Sequence, residues 1–383
     1  MAEQDINVLI VSGKDPTRRL LVEALEGLTG TRVVDRATDG TIALSKLRRL
    51  DVDLVLLDME TPAMDLAVTL AAIREQNRRV GIVVTGPSAD SATEALLGLQ
   101  LGALSFIPRP AAGDLNGVRD LRLQLLPLIG LLRSRRNIAT ADRGEARQLR
   151  ALPPKCPVPD PAAGRTSDGA PNDHAAFGSA KRSIRPAKVR ALVIAASTGG
   201  PNALANLIPN LPADLGIPIF VVQHMPPVLT ASLAAGLNAK SKLAVKEAAN
   251  GDEVAANVVY IAPGGVHMGV KKHPPADGQP VPVIFLSTDP PENGVRPSAD
   301  VLLRSLMPLY GANVLVAILT GMGSDGLNGV RALKRTGCYC LSQTQDSCVV
   351  YGMPRAVDEA GLSDERVGLE TMAARISQIV RGG

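Results

Sequence analysis

The chain has no tryptophan, and aromatic residues fill only 2% of its 383 positions. That scarcity argues against a nucleic-acid partner, because single strands and splayed bases are held by aromatic stacking. No apolar run approaches the roughly 20 residues that a membrane-spanning helix needs. The first residues, MAEQDINVLIV, lack the layout of a secretory signal. The expectation is a cytoplasmic protein with no membrane insertion. Cysteine is thin as well: Cys156, Cys338, Cys340 and Cys348. In the cytoplasm these stay thiols. Cys338-Tyr339-Cys340 has no further His or Cys nearby to complete a metal set, and reads as small core residues of a strand. There are four histidines, His174, His224, His267 and His273, so few groups are candidates for proton transfer near neutral pH.

The net charge of +4 is unevenly spread. Residues 141–190 hold ten Lys/Arg against five Asp/Glu, and seven prolines. The rest of the chain is close to neutral. A nucleic-acid binder carries its excess on a folded face; here it lies in a segment with little periodicity, which reads as a linker. At this length two cores are expected. The boundaries drawn are a first domain at 5–135, a linker at 136–189 and a second domain at 190–381.

The first domain alternates strand and helix patterns. INVLIV, TRVVDRA, DLVLLD, VGIVVT and ALSFIP are strands, and the stretches between and after them carry helical spacing. Five strands alternating with five helices imply a parallel α/β sheet covered on both faces. Its functional edge is at the carboxyl ends of the strands, where Asp58, Thr85 and Arg109 fall. LLDMETPAMD, VVTGPS and FIPRP resemble the receiver domain of two-component response regulators. The resemblance makes Asp58 the candidate phospho-acceptor and Thr85 the hydroxyl beside it. Arg109 stands where lysine is usual. Receivers follow their first strand with two acidic residues that help to hold Mg²⁺. Here those positions are Ser12 and Gly13, which weakens the case for the metal. Asp15 and Glu60 are the other acids close by in sequence.

The second domain opens with VRALVIAASTGGPNAL, an apolar strand that breaks at Ser197-Thr-Gly-Gly-Pro into a helix. Glycines permit a sharp turn and Pro201 suits a first helical turn. A serine there is exposed at a helix amino end, where backbone N–H groups and the dipole favour developing negative charge. Ser197 is therefore a candidate nucleophile; a phosphate cradle or a simple helix cap is the alternative. Next, IPIFVVQHMPP is a strand ending at His224, stopped by two prolines. His267, expected after a hairpin turn at Gly264-Gly265, is the runner-up base or a residue facing substrate. His174 lies in the linker and His273 in a polar loop. Third, NVLVAILTGMGSDG puts Asp325 in a Gly-rich turn at another strand end; an ordinary Asp-Gly turn is the alternative. Together the three suggest a nucleophile, a general base and a carboxylate that fixes the imidazole.

The motifs AASTGGP, VVQHMPP, EAANGDEV, VYIAPGGVHM, VRPSADVLL, LTGMGSDG and VVYGMPRAV, in this order, resemble the catalytic domain of the chemotaxis protein-glutamate methylesterase family nearly end to end. The resemblance implies a parallel α/β sheet with an appended hairpin, a Ser197–His224–Asp325 triad, and oxyanion donors near Thr198 and Met322. Ala195 stands where glycine is commonest. The implied reaction is hydrolysis of γ-glutamyl methyl esters on the signalling helices of methyl-accepting chemotaxis receptors. Some members also deamidate glutamine there. No cofactor is implied for catalysis. A chemotaxis histidine kinase is the implied phosphodonor, and in the family the unphosphorylated receiver covers the active site. Two other readings stay open: a non-catalytic adaptor, and a nucleotide binder using Ser-Thr-Gly-Gly-Pro, which lacks a Walker lysine.

Overall fold

The computed structural model describes residues 5–77, 79–87, 92–111, 114, 116–150, 188–273 and 280–382. INVLIV forms β1 (Ile6–Val11), buried at every position. Asn7 apart, the run is apolar, as a strand covered on both faces requires. It is followed by α1 (Asp15–Glu26), β2 (Thr31–Ala37), α2 (Gly40–Leu47), β3 (Leu54–Asp58) and α3 (Leu66–Gln76). Next come β4 (Gly81–Gly86), α4 (Ala92–Gln100), β5 (Ser105–Pro108) and α5 (Gly117–Arg150). The strands pair in parallel in the order β2-β1-β3-β4-β5. The register sets Asp58 beside Thr85 at the carboxyl edge. Helix α5 continues through RRNIATADRGEARQLR, where the sequence pattern predicts the linker to begin. The remainder of that segment, residues 151–187 with Cys156 and His174, lies outside the described residues.

The second sheet begins with β6 (Ala191–Ala196), also buried throughout. It continues through α6 (Gly200–Leu207), β7 (Ile219–Gln223), α7 (Pro227–Asn238), β8 (Ala244–Glu247) and β9 (Val258–Ile261). A ribbon of β10 (His267–His273) and β11 (Val281–Ser287) leads to α8 (Ala299–Tyr310) and β12 (Val314–Ile318). The chain closes with α9 (Leu327–Lys334), β13 (Tyr339–Gln343), α10 (Met353–Glu359), β14 (Glu365–Val367) and α11 (Leu369–Val380). Seven strands run parallel in the order β14-β13-β12-β6-β7-β9-β8, and β10 and β11 form a separate antiparallel pair. From β6 the chain first builds outward through β7 and later returns to β12 on the other side. Such a reversal opens a crevice at the carboxyl ends of β6 and its neighbours, where α/β folds place their ligands.

Two local expectations are corrected. Gly264-Gly265 is not a hairpin turn; it carries the chain from β9 in the large sheet to β10 in the small one. The antiparallel partner of β10 is β11, and His273 ends β10 instead of lying in a loop. Cys340 is in β13 and Cys338 just precedes it, both buried. Burial pushes the Cys338 thiol up to about 12.

The five-stranded and seven-stranded sheets belong to one compact unit. Helix α4 packs on α6 and α7. Leu96 and Leu99 of α4 share a buried cluster with Leu204 of α6 and Leu233 of α7. Among the described residues no helix is long and apolar enough to cross a membrane.

Candidate active site

Ser197 follows the last residue of β6. Its N–H donates to the Thr320 carbonyl at 3.0 Å, and its carbonyl accepts from Gly200 N at 2.8 Å and Gln223 Nε2 at 2.9 Å. These bonds fix the turn on both sides of the hydroxyl. Gly199 adopts φ +80°, a conformation that favours glycine, and then α6 begins with Pro201 near its start. Gly321 is needed for a different reason. A Cβ there would lie 2.8 Å from Ser197 Cβ, so only glycine lets the β12 turn come this close.

His224 follows β7, held by its N–H to the Ala196 carbonyl at 3.1 Å. Its side chain is 10% exposed, and its Nε2 lies 2.8 Å from Asp325 Oδ2. An ionised Asp325 only accepts, so Nε2 is the nitrogen that donates to it, and in the neutral tautomer Nδ1 is the one that can take a proton. Among the described residues the Ser197 hydroxyl makes no hydrogen bond to the imidazole. Such contacts commonly tighten only when substrate is bound. Ser197, His224, Thr198 and Met322 all line one cavity of about 180 Å³. Leu99 of α4, Leu104, and Phe106 of β5 line the same cavity.

Asp325 is 3% exposed and accepts more than the histidine. Ser298 Oγ donates to it at 2.6 Å, Ala299 N at 2.6 Å, Asp300 N at 3.2 Å and Asn293 Nδ2 at 3.0 Å. Burial works to raise this carboxyl. The hydrogen bond and charge of His224, with Ser298 and Ala299, outweigh it and bring the group to about 2. The amino end of α8 is therefore capped by Asp325, not by its own N-cap serine, whose hydroxyl is committed to the same carboxylate. The second amide proton of Asn293 goes to Asp300 Oδ2 at 2.9 Å. Asp300 is raised by burial and by the nearby Asp325 charge, against hydrogen bonds from Gly329 N and Asn293.

Sequence alone assigns Ser298 and Asn293 no part in the site. A serine just before the apolar helix ADVLLRSL signals an N-cap. Nothing in the spacing shows that its partner is Asp325. His267, the runner-up base, is 1% exposed with both ring nitrogens engaged: Nδ1 accepts from Ser298 N at 3.2 Å, and Nε2 lies 3.1 Å from the Pro290 carbonyl.

The edge of the first sheet is built differently. Asp58 is fully buried; its Oδ2 accepts from Ser12 Oγ at 2.6 Å and from Arg109 Nη1 at 2.9 Å, while Oδ1 accepts from Glu60 N at 3.2 Å. Arg109 also pairs with Glu60, and Lys14 Nζ reaches Glu60 Oε2 at 2.9 Å. Lys14, then Arg109, hold the Glu60 carboxyl below its usual range. Asp15 turns instead to Arg18 and Arg19, at 3.0 and 2.7 Å. Thr85 is buried, and among the described residues its hydroxyl has no hydrogen-bond partner.

Known proteins match both halves. A family described as CheB methylesterase matches residues 192–376, and one described as response regulator receiver domain matches residues 8–116. A protein-glutamate methylesterase/protein-glutamine glutaminase of Desulfotalea psychrophila is 34% identical over 379 residues, 99% of each chain. One of Halalkalibacterium halodurans is 36% identical over 377 residues, 98% of each chain. The CheB methylesterase catalytic domain of Thermotoga maritima is 39% identical; the match covers 51% of this chain and 100% of that one, with a TM-score of 0.48. With identity of this level running through both sheets, the chain belongs to the protein-glutamate methylesterase/protein-glutamine glutaminase family.

Proposed function

We propose that this protein hydrolyses γ-glutamyl methyl esters on the signalling helices of chemotaxis receptors, in the cytoplasm, with Ser197, His224 and Asp325 as its triad. The observation that carries the reading is the 2.8 Å contact of His224 Nε2 with Asp325 Oδ2 in the crevice that also holds Ser197. His224 Nδ1 takes the Ser197 proton as Oγ attacks the ester carbonyl. Asp325 holds the imidazole in the required tautomer and stabilises the imidazolium. Backbone N–H groups at Thr198 and Met322 take the oxyanion. The proton passes to the leaving oxygen, methanol departs, and water, deprotonated by the same imidazole, releases glutamate. A glutamine amide takes the same route and loses ammonia. The chain's own residues supply every step.

The first sheet is the regulatory half. Its Leu99, Leu104 and Phe106 wall the cavity that holds Ser197, so access for a receptor helix requires this wall to move. A chemotaxis histidine kinase is the proposed phosphodonor of the family arrangement, but the residues around Asp58 do not fit Mg²⁺. The metal needs several oxygen ligands with carboxylates to balance its charge. Here two carboxylates, Asp58 and Glu60, already face two cations, Arg109 and Lys14. The wall is then moved by protein contact more than by phosphorylation.

The test is methanol release from methylated receptor by the full-length chain. Ser197-dependent methanol is expected. Binding to receptor without turnover would make the chain an adaptor.

A further inference from the structure

We propose that His267 is a positioning residue for this hydrolase: it staples the Pro290–Ser298 loop so that Asn293 and Ser298 are aimed at Asp325. The inference rests on the proposed triad.

The atoms at its two nitrogens fix its form. Pro290 offers a carbonyl, which only accepts, so Nε2 carries a proton. Ser298 offers a backbone N–H, which only donates, so Nδ1 carries a lone pair. His267 is thus a neutral imidazole that closes a loop at both ends from the first position of β10. It has no nitrogen left for substrate. Inside the staple, Glu292 and Val295 exchange backbone hydrogen bonds at 3.1 and 3.0 Å. The Arg296 carbonyl accepts from Gly265 N at 3.1 Å. These contacts give the loop one shape. Asn293 sits at its tip with φ +56°. From there its two amide protons reach Asp300 and Asp325 at 2.9 and 3.0 Å.

The consequence falls on Asp325. Of its donors outside the triad, Asn293 and Ser298 are in the stapled loop, and Ala299 and Asp300 follow directly at the start of α8. Removing the staple lets this cradle drift as a unit. Asp325 then loses the donors that keep it ionised and oriented, while His224 and Ser197 stay at the ends of β7 and β6. A hydrogen bond to a charged group, once lost, changes an equilibrium about tenfold or more, and groups that act through one carboxylate are not additive.

The experiment uses the full-length chain and a fluorophosphonate ester, which labels an activated serine whatever the natural substrate. Labelling rate at saturation and half-saturation concentration are measured separately, with a thermal melt for each variant. His267→Leu is expected to slow the saturated rate about tenfold or more with half-saturation unchanged. His267→Asn, which keeps an acceptor for Ser298 N, is expected to recover part of that loss. Ser298→Ala and Asn293→Ala each remove one side-chain donor to Asp325, the second also the bond to Asp300; each is expected to slow labelling, and Ser298→Ala combined with His267→Leu to cost less than the product of the two. Wild-type labelling in His267→Leu with an unchanged melt overturns the proposal, as does a loss confined to half-saturation. If His267→Leu does not fold, the two single-donor variants decide, and wild-type rates in both overturn it. Labelled protein that releases no methanol from receptor would sink the substrate assignment and leave the staple standing.

Discussion

Asp58 and Asp325 both belong to the carboxyl edges of parallel sheets and are set up for opposite purposes. Both are buried: Asp58 ends β3, and Asp325 lies in the turn between β12 and α9. Asp325 is surrounded by neutral donors and one imidazole that can gain a proton. Asp58 meets a guanidinium, which cannot release one. The carboxyl edge of a parallel sheet thus holds a carboxylate–imidazole pair in one case and a closed ion-pair cluster in the other. Partners from other strands, not the strand-end carboxylate, decide which chemistry is available.

The largest effect expected is on the Asp325 side. Ser197→Ala should lower methanol release by about 10³-fold or more while the melt stays close to wild type. His224→Ala should be about as severe, and the double variant little worse, because the two act as a unit. A tenth of wild-type turnover in Ser197→Ala would assign the nucleophile elsewhere.

Next in size is the charge of Asp325 itself. Its folded value of about 2 lies below the ordinary 3.8. The stabilisation is therefore complete above pH 3.8 and is lost as pH falls through about 2. The shift corresponds to about 2 kcal/mol. Asp325→Asn should flatten the acid limb of a stability–pH curve by roughly that amount. An unchanged limb would show that the cradle around this carboxylate does not favour its charge.

Much of this architecture is legible in the sequence, for a physical reason. Doubly covered parallel strands must be largely apolar, so INVLIV, DLVLLD and VLVAIL announce themselves. Ser197, His224 and Asp325 stand out because Gly or Pro breaks the chain right beside them. The cradle of Asp325 is not legible in this way. Ser298 and Asn293 are 27 and 32 residues from their partner, and their role depends on where α8 begins in space. Periodicity also fails to say which sheet a strand joins, so Gly264-Gly265 reads as a hairpin turn between segments that belong to different sheets. In α5, RRNIATADRGEARQLR has no apolar stripe, but its Ala, Arg, Glu and Gln are strong helix formers that carry the helix onward.

A smaller effect is expected where the two sheets meet. Deleting residues 1–187 removes Leu99, Leu104 and Phe106 from the cavity wall. The fragment should release methanol severalfold faster than the full chain. It also uncovers the face of α6 and α7 that packs on α4, so its melt should fall. A fragment slower than the full chain, yet folded by circular dichroism, would mean that the first sheet completes the site instead of closing it.

The smallest effect is expected from Mg²⁺, and that makes it the sharpest test of the contrast between the two aspartates. A typical receiver holds three carboxylates and one lysine, a deficit that the metal fills. Here Asp58 and Glu60 are balanced by Arg109 and Lys14, so Mg²⁺ would add charge with no free carboxylate to meet it. Nor is the missing second acid easily put back: a Cβ at Gly13 would lie 2.5 Å from Pro62 Cδ. Arg109 differs from lysine as well, since its planar fork reaches both acids at once. Millimolar Mg²⁺ should leave the melting temperature unchanged, and acetyl phosphate should give no stable label. Ser12→Asp with Arg109→Lys should restore a response to the metal, because it adds one carboxylate and frees Glu60 from the fork. A stoichiometric, Mg²⁺-dependent label on the wild-type chain that disappears in Asp58→Ala would show that the ion pairs open readily and that the two aspartates differ less than their partners imply.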